Sequence, residues 1–219
     1  MSNLRALRPE PFVGRGRELE LLAAYSSTGT GLPPVTVRGM GGCGKTTLVL
    51  HHAWAQRATG RNPVWWIDAD GPDAIEAGLA GLAGELDRDI VKTLPVSEAA
   101  AWAAHWLEAR TDWVLVFDNV EDGAHLRPWL GRLTTGQVLV TTRRTLAWQR
   151  GNGFLYLGPL HRDCLVTLLK ELTGRSDEEA VPALTGLAAE LGGWIFRGAS
   201  GAVPPSASSA SLGSGSALG

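Results

Sequence analysis

A chain of 219 residues is long enough for one α/β domain with a buried core and a small addition. Its apolar fraction of 44% and mean hydropathy of +0.01 suit a globular chain in water. The net charge of −2 gives no overall electrostatic case for nucleic acid, and the two cysteines, Cys43 and Cys164, support neither a disulfide framework nor a zinc site. No run reaches the ~18 to 20 apolar residues of a membrane helix. The arginines of the opening "MSNLRALRPEP" are not followed by the apolar stretch of a signal peptide. The expectation is a cytoplasmic protein with no membrane partner.

Taken in order, "VGRGRELELL" predicts a turn and an amphipathic helix, with Phe12 and Val13 as a hydrophobic staple. Strands are predicted at 34–39, 63–70, 113–119, 137–143 and 154–160. Each is a short, continuous apolar run, as expected of strands buried on both faces of a parallel sheet. Helical patterns fall between and after them, at about 44–58, 73–87, 97–110, 122–130, 161–173 and 178–191. This alternation predicts βαβ units and a doubly wound, mainly parallel five-stranded sheet with flanking helices, followed by a partial helical subdomain. The domain reading is 1–160, 161–197, and a tail over 198–219. That tail, "GASGAVPPSASSASLGSGSALG", carries no charge or aromatic residue and predicts disorder.

Between the first strand and its helix stands "GMGGCGKT", residues 39–46, which matches G-x-x-x-x-G-K-[ST]. A phosphate chain needs several N–H donors converging at close range. Gly39, Gly41, Gly42 and Gly44 let the backbone turn and approach without a Cβ in the way. The first amides of the following helix add donors and a positive dipole end. In this motif Lys45 reaches the β- and γ-phosphates, and the Thr46 hydroxyl ligates Mg²⁺. A glycine-rich turn with no ligand is the plainer alternative.

"WVLVFDNVED" then places Asp118 at the end of an apolar strand, a Walker B candidate holding magnesium through water. Its neighbour is Asn119, an amide that orients water but accepts no proton near neutral pH. Glu121 is the nearest other acid. The expectation is slow hydrolysis, no faster than ~1 s⁻¹. At the end of "VLVTTRR", Arg143 can reach a γ-phosphate if its strand neighbours the P-loop strand; a solvated surface arginine is the alternative. Arg144 reads as solvated.

The order "PFVGRGRELELL", "GMGGCGKTTL", "VWWIDAD", "VLVFDNVED", "VLVTTRR" and "ELGG" resembles bacterial NB-ARC proteins of the STAND class of signal-transducing P-loop ATPases, over about residues 12–193. The resemblance implies that Val13, Gly14 and Arg15 lie around an adenine, that Thr47 donates to the α-phosphate, and that Arg143 senses the γ-phosphate. It implies ATP or ADP with Mg²⁺ as cofactors, and self-association through the nucleotide-binding domain. Cys43 stands where the family has a small apolar residue; a tolerated side chain and a redox-sensitive thiol are both open. After Gly193 the sequence runs "WIFRGAS", with Trp194 and Ile195 where the family has leucine and proline. The chain there leaves the family's register, as a frameshift in GC-rich DNA would cause.

The function read from these residues is an ATP/ADP-binding regulatory switch with slow Mg²⁺-dependent hydrolysis. Another P-loop ATPase or kinase, and a truncated non-catalytic remnant, are the alternatives. No N-K-x-D segment favours GTP, and nucleic acid is not expected as a partner. Trp65 and Trp66 predict packing on opposite faces of a strand, and Trp102 and Trp106 one packed helix stripe. His51 and His52 read as a partly exposed pair with no metal role. The acidic "SDEEA" at 176–180 reads as an N-capped first turn.

Overall fold

The computed structural model describes residues 1–5, 12–26, 33–147, 153–175 and 178–192. Five strands form one parallel sheet: β1 (Val35–Arg38), β2 (Val64–Asp68), β3 (Val114–Val120), β4 (Gln137–Thr142) and β5 (Phe154–Tyr156). Their order is β2-β3-β4-β1-β5, so the first strand sits inside the sheet and the chain winds outward on both sides of it. Every residue of β4 is buried, and in β3 only Asn119 is exposed, which accounts for their unbroken apolar sequence.

Eight α-helices accompany the strands among the described residues: α1 (Gly16–Ser26), α2 (Lys45–Ala58), α3 (Pro72–Leu86), α4 (Ile90–Thr93), α5 (Val96–Glu108), α6 (Arg127–Leu130), α7 (Arg162–Thr173) and α8 (Val181–Leu191). One sheet face packs Trp65, Ile67, Leu115 and Phe117 against Leu79, Leu82, Ala103 and Leu107 of α3 and α5. The other packs Val37, Val64, Trp66 and Val116 against Leu22 of α1 and Leu48, Val49 and Ala53 of α2. The two adjacent tryptophans therefore point to opposite sides, as their strand period requires. A third, smaller core joins Leu160 to Leu165 and Leu168 of α7 and Ala188 of α8, with Val13 packed against it.

The differences from the expected elements have local causes. The helix expected over 122–130 is a 3₁₀ turn at Gly123–His125, capped by Asp122 accepting from the Ala124 amide at 2.8 Å, followed by the short α6. Pro128 has no amide to donate and sits in the first turn of that second piece. Likewise Pro182 opens α8, so Glu178–Ala180 form a separate 3₁₀ turn. The rest of the expected cap, Ser176 and Asp177, lies outside the described residues, as do Trp194, Ile195 and the 198–219 tail. β5 stops three residues after it starts, just ahead of Gly158 and Pro159. α4 was not expected from the sequence.

The N-terminal residues lie on the free edge of β2. Ser2 bridges Val64, and the Asn3 side-chain amide imitates a strand, accepting from Trp66 N at 2.7 Å and donating to Trp66 O at 2.8 Å. Trp54 of α2 donates its indole N–H to the Arg5 carbonyl at 3.0 Å.

His52 is a correction to the expected exposed pair. Its side chain is buried in α2 at 2% exposure, and burial pushes its pKa down from 6.5 to about 4. His51 stays half-exposed and rests its ring 4.0 Å from that of Phe12. Between pH 6.5 and 4 the unfolded chain binds a proton at His52 that the folded chain does not. This contribution to stability is therefore complete above pH 6.5 and is lost as pH falls to 4, by up to about 3 kcal/mol. Urea unfolding of wild type and His52→Gln at pH 6.5 and 4.5 checks this, the variant losing less stability on acidification.

Candidate functional site

The turn from β1 into α2 is built by residues that tolerate an unusual backbone. Gly42 and Gly44 take φ of 78° and 89°, the left-handed region that glycine enters at no steric cost. Gly39 has a different reason: a Cβ there would stand 2.3 Å from the Leu157 carbonyl oxygen and 2.7 Å from Cys43 Sγ. Cys43 itself is buried among Val35, Val37 and Leu48, the setting of a small core side chain.

A cleft of about 370 Å³ lies over this turn. Gly41, Gly42, Cys43, Gly44, Lys45, Thr46 and Thr47 line it from below, and Asn119, Thr141 and Arg143 line it from the ends of β3 and β4. Phe12, Val13, Leu160, Leu168 and Leu172 supply an apolar wall. A polyanion and a flat, largely apolar ring are the two chemistries such a lining accommodates.

Lys45 donates from Nζ to the Gly39 and Met40 carbonyls, both at 2.9 Å, so the loop holds its own cation above it. Burial lowers its pKa, and nearby Arg143 adds to the drop. The Arg143 guanidinium lies alongside the loop, 3.6 Å from where a Gly41 Cβ would be. It is exposed, with no hydrogen bond or ion pair among the described residues.

Asp118 is buried at the end of β3. Thr46 donates to both its oxygens, at 3.0 and 3.2 Å, and Thr141 of β4 donates to Oδ1 as well. Burial pushes the carboxyl above the usual range, and the two hydroxyls pull it back. A carboxylate beside a hydroxyl is the hard-oxygen set that magnesium prefers, and a divalent cation would favour the charged carboxylate, so these residues fit that ion.

Asn119 takes φ of 62°, rare outside glycine but tolerated by asparagine, and β3 breaks register there. Its backbone N–H donates to Thr141 Oγ1 at 2.9 Å. Glu121 does not line the cleft; Arg144 Nε lies 3.4 Å from its carboxylate, which also acts electrostatically on Lys45.

The structure thus brings together Val13, Arg15, Gly41, Gly42, Cys43, Gly44, Lys45, Thr46, Thr47, Asn119 and Arg143 on one cleft, with Asp118 directly behind Thr46. Gly14 and Gly39 do not line it. Gly39 lies under the loop, and Gly14 (φ 73°) packs on Cys164 and Leu160. Sequence reasoning missed Thr141 as the hydroxyl joining Asp118 to Asn119, and missed the wall residues Leu160, Leu168 and Leu172. The four-residue spacing of the last two on one helix was the available signal.

Comparison with known proteins gives consistent results. The AAA ATPase domain family matches residues 11–212, a stretch that runs past Gly193. The regulatory protein AfsR of Streptomyces griseus is 30% identical over 141 residues, and that of Streptomyces coelicolor 32% over 146 residues. Each alignment covers 60% of this chain but 14% of the relative, so the chain spans a small part of those proteins. Among solved structures, Cdc6p from Pyrobaculum aerophilum superposes with a TM-score of 0.61 at 16% identity, covering 84% of this chain and 56% of that one. The Drosophila ORC bound to DNA gives 0.58 at 19%, covering 84% and 52%. A STAND protein with a tetratricopeptide repeat sensor from Pyrococcus horikoshii gives 0.53 at 18%, covering 86% and 29%. At these identities the structural likenesses establish the fold.

Thr141→Val keeps the shape but removes one donor to a buried carboxylate and the acceptor of the Asn119 amide. We expect a loss of about 1 to 3 kcal/mol in urea unfolding, with most of it restored by Thr141→Ser.

Proposed function

The chain belongs to the AAA ATPase domain family, and on that premise we propose that it is a nucleotide-dependent regulatory switch that binds ATP or ADP with magnesium and hydrolyses ATP slowly. The observation that carries this reading is the pairing on one cleft of the Arg143 guanidinium, beside the glycine-rich loop and unpaired among the described residues, with the side-chain amide of Asn119. The first suits detection of a terminal phosphate. The second suits a site that holds water without deprotonating it.

Each residue then has a task. The amides of 41–47 and Lys45 bind the phosphates, with Lys45 exchanging the Gly39 and Met40 carbonyls for phosphate oxygens. Thr46 and Asp118 would hold magnesium, which when bound neutralises charge on the phosphate oxygens. Asn119 orients a water, and Thr141 fixes Asn119 and Asp118 relative to each other. Val13 and the leucines of the wall receive the adenine and exclude water from it. The α7–α8 hairpin acts as the partial helical subdomain, moving when ATP replaces ADP, as in the NB-ARC proteins that the sequence resembles. Self-association through this domain and a cytoplasmic setting belong to the same reading. No helix among the described residues is long and apolar enough to cross a membrane.

Isothermal titration with MgADP and MgATP tests the proposal. Wild type binds both, and Lys45→Ala binds neither well. Arg143→Ala loses about tenfold or more in ATP affinity, ~1.4 kcal/mol, and keeps ADP affinity within about twofold. At 100 times Kd either nucleotide adds about 2.7 kcal/mol of stability. A folded chain that takes up neither nucleotide at millimolar levels overturns the reading. Turnover well above ~1 s⁻¹ defeats the slow-switch form of it, and strong stimulation by DNA transfers the chain to the motor ATPases.

A further inference from the structure

Arg15 does something that contact with a base would not require. Its side chain is only 11% exposed, and its guanidinium reaches three acceptors on three different elements. Nη2 donates to the Cys43 carbonyl inside the phosphate loop at 3.2 Å and to the Gly158 carbonyl at 2.7 Å. Nη1 pairs with Glu18 Oε1 of α1 at 2.9 Å, which fixes the fork's orientation.

The two carbonyls are functionally distinct. Cys43 lies between the two left-handed glycines that shape the loop. Gly158 lies in the short connection that joins β5 of the sheet to α7 of the α7–α8 hairpin. The neighbours of Arg15 reinforce the join. Gly14 packs directly on Cys164 of α7, where a Cβ would stand 2.6 Å from Sγ, and Val13 packs into the small core of the hairpin.

We propose that Arg15 is a positioning residue that latches the β5–α7 hinge to the phosphate loop, so that a change in the loop is transmitted to the α7–α8 hairpin. This deepens the switch reading and rests on it for the nature of the signal. The latch itself is a property of the ligand-free chain. Lysine cannot replace it, because one ammonium lacks the planar fork that spans two carbonyls and a carboxylate.

The chain carries its own reporter. Cys164 is half-buried against Gly14, whereas Cys43 is buried under the loop. Labelling by a soluble disulfide reagent, resolved by peptide mass spectrometry, therefore separates hinge release from unfolding. Release exposes Cys164 alone; unfolding exposes both. In the ligand-free chain, Arg15→Lys should label at Cys164 about tenfold faster than wild type, with Cys43 unchanged. Equal Cys164 rates, or parallel rises at both cysteines, overturn the latch. If Arg15→Lys gives no cooperative melt, Glu18→Gln, which frees the fork without removing it, takes its place with a smaller rise confined to Cys164. Saturating MgADP should slow Cys164 labelling in wild type and leave it unslowed in Arg15→Lys; equal slowing in both overturns transmission. Should wild type bind no nucleotide, the switch reading fails, while the ligand-free comparison still decides the latch.

Discussion

Position 39 has no room for a side chain, because the loop that opens α2 runs against the Leu157 carbonyl just past the end of β5. Much follows from that close approach. The loop is shaped by the left-handed turns at Gly42 and Gly44 and held at Gly39 against the chain just past β5. The loop thereby lies over the cleft at the ends of β1 and its neighbour β4. A convergent donor set fixed before any ligand arrives costs little ordering entropy when one binds. Lys45 completes this arrangement by donating to two of the loop's own carbonyls, so the cation is held near its working place.

The strand order explains why the acid stands where it does. β4 lies between β3 and β1, so its Thr141 hydroxyl reaches Asp118 on β3, while Thr46 reaches the same carboxylate from the start of α2. Two hydroxyl donors stabilise the charged form against burial, which on balance still favours the neutral one. That balance leaves the carboxylate responsive to a nearby cation. The left-handed turn at Asn119 belongs to the same construction. It shifts the register of β3, places Asn119 on the cleft, and gives its backbone N–H to Thr141. Glutamate, the usual proton acceptor in a fast ATPase, is poorly suited to that backbone; asparagine is among the few side chains that tolerate it.

What could be read from the sequence divides along a physical line. The five strands were legible because burial on both faces leaves an unbroken apolar run, and the loop was legible because its chemistry is confined to eight consecutive residues, 39–46. Wherever the determining partner was remote, the reading ran out. Arg15 accepts its role from carbonyls 28 and 143 positions away. His52 was a different miss: it shares the buried stripe of Lys45, Leu48, Val49 and Ala53 in α2, so the helical period itself carried the signal. Thr141 was visible as a strand end, but its bond to Asp118 depends on which strands are neighbours. The segment 122–130 failed for a local reason: Pro128 divides the apolar period, and that proline was in plain view.

The placement of charge around the cleft bears on what it discriminates. Arg15, although it lines the cleft, is neutralised by Glu18 and committed to two carbonyls. Lys45 and Arg143 are the cations left facing the loop; burial is the main cause of the lowered pKa of Lys45, and repulsion from Arg143 adds to it. A polyanion between them removes that repulsion, and it does so in proportion to how far its charge extends toward Arg143. Among the described residues Arg143 has no hydrogen bond or ion pair to give up, so in the proposed switch its attraction would be available to a terminal phosphate, whereas Lys45 would first release two carbonyls. In the proposed switch, discrimination between a diphosphate and a triphosphate would therefore fall on Arg143 and retention of either on Lys45. On that proposal, the division of labour would let the length of a phosphate chain be sensed without its being rapidly cleaved.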